Sequence, residues 1–182
     1  MTEFLTTTGV SYRLEEIIKS AAERLVLISS FLRVNERIKE LLEDKDRLKI
    51  DVRVIYGKNE LQPEESIWLE SMTSIRTSFC KNLHAKCYLN ENEALITSMN
   101  LYEFSQVNNN EMGILVSRES EPQLYSEILQ ESMRIIRVSE EVRVTDARVE
   151  PSENSREHPV GKKTRATPPT PKDGFCIRCK TT

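Results

Sequence analysis

At 182 residues and 38% hydrophobic content, the chain carries enough apolar material for one ordinary core and too little for two. Its net charge of -3 is unevenly spread: residues 1–137 hold 17 Lys and Arg against 22 Asp and Glu, and residues 138–182 hold 9 against 7. The body is therefore mildly acidic, without the broad basic face by which proteins that coat nucleic acid neutralise phosphate.

No window approaches the roughly 18 consecutive apolar residues of a membrane span, and the opening residues lack the basic and apolar blocks of a signal peptide. Four scattered cysteines do not make a disulfide framework. A cytoplasmic location without stable membrane association is expected.

In chain order, Leu14, Ile17, Ile18, Ala21 and Ala22 recur at helical spacing and predict a helix from Ser11 to Glu23, followed by a short interior strand from Leu25 to Ile28. Asn35 is a cap for a second helix with Ile38, Leu41 and Leu42 on one face, and the strand from Ile50 to Tyr56 is closed by Gly57. Pro63, Glu64 and Glu65 suit the first turn of a third helix, with Ile67, Trp68, Leu69 and Met72 facing inward, before a strand near Ile75.

Leu83 to Leu89 alternates as a strand, Asn90 to Glu93 reads as a hairpin turn, and Ala94 to Ser98 returns. An Asn-rich run, Asn108 to Asn110, leads into a strand from Met112 to Val116. Pro122 then opens a last helix whose stripe is Leu124, Ile128, Leu129, Met133 and Ile136, ending near Val138. Helices interleaved with strands predict an α/β fold with a mixed central sheet flanked by helices.

The folded domain is expected over residues 1–140. Residues 141–172, within a region holding five of the seven prolines, have too few aliphatic side chains to offset the entropy of ordering and are expected to form a disordered linker. Residues 173–182 contain Cys176-x-x-Cys179, a good zinc spacing, but a closed structural site needs four ligands. A truncated segment is the simpler reading, with Cys176 and Cys179 the candidate ligands of an incomplete zinc site. Cys80 and Cys87 fit small inert core residues.

One His-x-Lys occurs, at His84 and Lys86, and the chain has no internal repeat that would supply a second. Residues two apart on a strand share a face, so a base and a fixed cation would face one ligand. Ser98 and Asn100 close the returning strand and would add a hydroxyl and an amide donor.

His84-Ala85-Lys86, then Ser98-Met99-Asn100, then Glu111 after the Asn-rich run, resembles the catalytic segment of the phospholipase D superfamily, and the surrounding element order resembles that family over roughly residues 10–140. The likeness is to its small single-motif members, nuclease-like and restriction-type proteins that build one site from two subunits. The terminal Gly-Phe-Cys-Ile-Arg-Cys resembles the first half of a zinc ribbon appended to some relatives.

The resemblance implies an α/β/α sandwich acting as a homodimer. It also implies a phosphohistidine on His84, with the partner subunit's His84 protonating the leaving oxygen and no cofactor needed for catalysis. Lys86 and Asn100 would donate to phosphate oxygens, Ser98 would support them, and Glu111 would fix the histidine tautomer. The pattern departs at Glu91, where the family has aspartate; the longer acid can still bond across the turn.

The expected activity is metal-independent phosphodiester hydrolysis, with nucleic acid as substrate. The alternatives are phospholipid hydrolysis or head-group transfer, and a catalytically weakened domain that binds nucleic acid or a protein partner.

Overall fold

A computed structural model describes residues 2–57, 61–102 and 109–142. All lie within the first of two compact units, Met1–Ala147. Of the expected linker, 141–172, Glu141 is instead paired with Ser78 and Val142 N–H bonds to Thr77 O; the rest of it and the Cys176 and Cys179 segment fall outside the described residues.

The elements are β1 (Glu3–Thr6), α1 (Thr7–Ser20), β2 (Arg24–Ser29), β3 (Leu32–Arg33), α2 (Glu36–Arg47), β4 (Asp51–Tyr56), α3 (Pro63–Ser71), β5 (Ile75–Phe79), β6 (Cys87–Asn90), β7 (Glu93–Thr97), β8 (Leu101–Tyr102), β9 (Met112–Ser117), α4 (Pro122–Val138) and β10 (Glu140–Glu141). Eight strands form one sheet in the order β1-β9-β7-β6-β2-β4-β5-β10. β2, β4 and β5 run parallel, joined through α2 and α3, whereas β6, β7, β9 and β1 each run antiparallel to their neighbour. The predicted mixed α/β sheet is the one observed.

Strand β2 is buried on both faces, which is why it reads as an unbroken apolar run. Leu25 and Leu27 point to a core shared with α1, α2 and α3, through Leu14, Ile18, Leu42 and Leu69. Val26 and Ile28 point to the other face, where Tyr125, Ile128 and Ile135 of α4 pack. Asn35 caps α2 as expected, its side chain accepting from the Ile38 N–H at 2.9 Å.

Several details differ from the sequence pattern. Helix α1 begins at Thr7, four residues before Ser11, and ends at Ser20. Ile67 is exposed; the short helix α3 buries Leu69 and, unexpectedly, Glu65. In α4 the buried stripe is Tyr125, Ile128, Ser132 and Ile135, while Leu124 and Met133 are exposed. Ser132 takes an inward place beside Cys87, whose thiol burial pushes up to about 11. Strands β1 and β10 were not signalled, because each has a pattern too short to read without its partner.

The hairpin turn is the pair Glu91 and Asn92, since Asn90 and Glu93 already belong to the ladder. Asn90 pins it, donating to Ile17 O and Ser20 Oγ at 2.9 Å and accepting from Asn92 and Glu93 N–H. Glu91, buried, accepts from the backbone N–H of Ala22 at 2.9 Å and of Glu23 and Arg24 at 3.4 Å, tying the hairpin to the start of β2. Burial pushes its carboxyl up, but its own N–H and those of Ala22, Arg24 and Glu23 pull it down further, so it titrates below the usual 4.5.

A depressed folded value means that this stabilisation is complete above the unfolded value of 4.5 and is lost as pH falls through the lower folded one. Glu91→Gln should therefore lower urea-unfolding stability at neutral pH by about 1–3 kcal/mol. It should also flatten the decline in stability that the wild type shows below pH 4.5.

Candidate active site

Because β6 is antiparallel to β2, its start lies at the carboxyl end of β2; because β7 turns back, its end lies there too, as does the start of β9. One rim of the sheet thus collects His84 and Lys86 ahead of β6, Ser98 and Asn100 after β7, and Glu111 ahead of β9. This is the rim beyond the carboxyl ends of the parallel strands, where open α/β sheets place ligands.

The expected strand from Leu83 is shorter in the structure. Regular pairing starts at Cys87, and His84 to Lys86 precede it outside any regular element. The reason lies just upstream, where Leu83 N–H bonds to Cys80 O at 3.2 Å and Asn82 sits in the left-handed region at φ 62°. Thr97 N–H reaches Lys86 O at 3.2 Å, which keeps Lys86 beside the end of β7.

His84 is exposed and Lys86 is half-buried. The Lys86 ammonium donates to His84 O at 2.8 Å and lies 3.4 Å from His84 Nδ1. Burial lowers the Lys86 pKa, and the Glu111 carboxylate acts in the opposite direction. The Lys86 side chain thus turns back onto His84 outside the regular strand.

Glu111 is held by its backbone, its N–H donating to Thr7 Oγ1 at 2.8 Å while that hydroxyl donates to Glu111 O at 3.0 Å. Ser98 Oγ donates to its carboxylate, and Asn109 Nδ2 donates to the other oxygen at 3.3 Å. The carboxylate is thus placed on Ser98 and within electrostatic reach of Lys86, while the Nδ1 side of the same chain's imidazole faces Lys86. Asn100 Oδ1 accepts from Phe31 N–H at 3.4 Å, which leaves its NH2 group to donate elsewhere. Asn109 and Asn110 lie in the approach to β9, and Asn108 is outside the described residues.

Sequence reasoning passed over the residues that hold these. Buried Ser29 accepts from Leu101 N–H at 2.9 Å and donates to Phe31 O at 2.6 Å, locking the end of β2 to the segment after Asn100. Tyr88, fully buried, donates to Met99 O at 2.7 Å between Ser98 and Asn100. Only Thr7 carried a signal, a threonine run followed by a helical stripe. Glu91, at the opposite end of β6, takes no part in the site.

With the geometry in place, comparison with known proteins is decisive at the level of family. The sequence profile described as cardiolipin synthase, PLD-like domain, matches residues 14–134. The chain belongs to the phospholipase D superfamily. No curated protein matches it in sequence.

Among solved structures, this phospholipase D domain is similar to Nuc from Salmonella typhimurium, a phospholipase D family member. They share 14% identity with a TM-score of 0.65, covering 79% of this chain and 99% of that one. It is also similar to NucT from Helicobacter pylori, with 16% identity, a TM-score of 0.63 and coverage of 78% and 99%. A third similar structure is phosphatidylserine synthase from Haemophilus influenzae, with 12% identity and a TM-score of 0.62; there the chain is covered over 78% but spans only 39% of the larger protein.

Gly57 sets the position of the histidine. A Cβ there would lie 2.6 Å from both Cβ and O of Leu83, the residue before His84, and a backbone carbonyl cannot swing aside. Gly57→Ala should lower stability by about 1–3 kcal/mol. It should also displace the His84 imidazole resonances in NMR, which Ile67→Ala, on an exposed face of α3, should leave unmoved.

Proposed function

We propose that this phospholipase D domain is a metal-independent nuclease that hydrolyses phosphodiester bonds through a phosphohistidine in a homodimer. The observation that carries the reading is the convergence of His84–Lys86 and Ser98–Glu111 on one rim, with Asn100 oriented beside them. Superfamily membership supports phosphodiesterase chemistry. The nearly complete coverage of Nuc and NucT favours the small single-motif members over a larger lipid enzyme, since the chain spans well under half of phosphatidylserine synthase. Of the three features behind the weakened-domain alternative, which are Glu91, the acidic body and the incomplete Cys motif, Glu91 is a backbone anchor remote from the site.

In this reading His84 Nε2, the ring nitrogen turned away from Lys86, attacks phosphorus as the bond to the leaving oxygen breaks. The partner subunit's His84 gives that oxygen its proton. Water then attacks the phosphohistidine and yields a proton to the partner subunit's His84, releasing a phosphomonoester and restoring both rings.

Attack by Nε2 requires the tautomer protonated on Nδ1, so Lys86 must leave Nδ1 for a phosphate oxygen when substrate arrives. Asn100 Nδ2 donates to a second phosphate oxygen, where fixed donors stabilise developing charge. Glu111, through Ser98 and its field on Lys86, holds the donor array in place.

The assay is incubation of supercoiled plasmid, single-stranded DNA and RNA with wild type and His84→Ala in EDTA. Wild type should cut at least one of them, and His84→Ala should lose on the order of 10^4-fold or more in rate. Lys86→Ala should lose roughly 10^2- to 10^3-fold. Hydrolysis of choline-headed vesicles with all three nucleic acids left intact would replace this reading with the phospholipid one.

A further inference from the structure

The chain that leaves β2 at the rim continues alongside the candidate site. Phe31 N–H donates to Asn100 Oδ1 at 3.4 Å, and Ser29 Oγ donates to Phe31 O at 2.6 Å. The next two residues, Leu32 and Arg33, pair in parallel with Leu101 and Tyr102, directly after Asn100. Burial alternates along this stretch: Phe31 and Arg33 are exposed, whereas Leu32 and Val34 are buried. Residues two apart in extended chain share a side, so the ring and the guanidinium face outward together, their backbone positions roughly 7 Å apart.

Phe31 is 46% exposed, although Leu32 beside it reaches the core. Many basic side chains of this acidic body are tied to carboxylates, as Arg13 is to Glu3 and Arg37 to Glu15 and Glu40. Arg33 forms no ion pair among the described residues; its charge reaches the carboxylate of Glu65, in the first turn of α3, only through space. An exposed ring beside an exposed cation suits a flexible nucleic-acid strand, because the ring takes the face of an unpaired base and the cation takes a phosphate of the same strand.

We infer that Phe31 and Arg33 form a platform that seats a single-stranded stretch of substrate beside the scissile phosphate, one base stacked on the Phe31 ring and a neighbouring phosphate bonded to the Arg33 guanidinium. The inference rests on the nuclease reading and narrows it. A duplex offers no such base, since its bases are paired and already stacked on one another. Stacking also supplies affinity that an acidic body cannot draw from phosphate neutralisation alone. The bond from Phe31 N–H to Asn100 keeps the platform in register with the amide that meets the reacting phosphate. Ribose and deoxyribose strands present the same base faces, so DNA and RNA form separate arms of the test.

The test is steady-state cleavage in EDTA, by the full chain, of a single-stranded DNA, a single-stranded RNA and a duplex of the same sequence. Wild type should cleave at least one single strand with a KM about tenfold or more below that for the duplex. Phe31→Ala should raise the single-strand KM roughly 5- to 100-fold with kcat little changed, and Phe31→Trp should restore it. Arg33→Gln should raise KM and reduce the slope of log binding constant against log salt concentration by about 0.7, the share of one phosphate on a single strand. On an abasic strand of the same length the wild type itself should lose a similar factor, a comparison that needs no variant to fold.

A duplex cut as readily as either single strand, or a folded Phe31→Ala with the wild-type KM, would overturn the platform and leave the nuclease reading standing. A wild type that cuts no nucleic acid, yet binds a fluorescent single strand more tightly than a duplex and loses that preference in Phe31→Ala, would remove the reading and uphold the platform.

Discussion

Everything at the candidate site depends on β6 entering the sheet antiparallel to β2. Up to that junction the chain builds parallel strands with helical crossovers, and every strand ends on the same rim. The reversal then brings the start of β6, the end of β7 and the start of β9 to that rim. Had β6 joined in parallel, the segment bearing His84 and Lys86 would lie at the opposite edge, away from Ser29 and Phe31. Chemistry gathered from three separated stretches of sequence is thus a consequence of strand direction, not of any local motif.

That reversal is secured at both ends of the hairpin by different means. At the turn, Glu91 and Asn90 accept and donate to backbone groups of α1, the α1–β2 connection and the turn itself, a buried polar network whose members are satisfied. At the rim, Tyr88 and Ser29 bond the backbone around Asn100, and Gly57 lets β4 approach Leu83 closely. The acid at position 91 is therefore a fastening for the fold, at the end of β6 opposite the candidate rim. This explains why glutamate can stand where the family has aspartate: backbone N–H groups require a carboxylate within reach, and an added methylene can be absorbed at a turn.

The two faces of the sheet also differ in kind. Among the described residues, the face under α1, α2 and α3 is closed by three helices, whereas on the other face α4 packs over Val116 of β9 and leaves Phe4 of β1, Ile96 of β7 and Met112 and Ile114 of β9 exposed. The exposed residues Met112 and Ile114 follow directly on Glu111 at the rim.

The sequence by itself determined the α/β class, the cap at Asn35, the paired strands around the motif, and the grouping of His84, Lys86, Ser98, Asn100 and Glu111 as one candidate site. These are legible because strand alternation and capping act over a few residues, and because the motif keeps fixed spacings. Only the tertiary structure decided that Ile67 and Met133 face outward, that Ser132 replaces an aliphatic in α4, and that pairing begins at Cys87. It also decided that Glu111 is bonded to Ser98, that Thr7 and Ser29 hold the rim, and that a buried Glu91 fastens the hairpin. The physical reason is range: the partners lie apart in sequence, from 13 residues between Ser98 and Glu111 to 104 between Thr7 and Glu111, and hydrophobic periodicity reports which residues prefer burial but not which neighbour buries them.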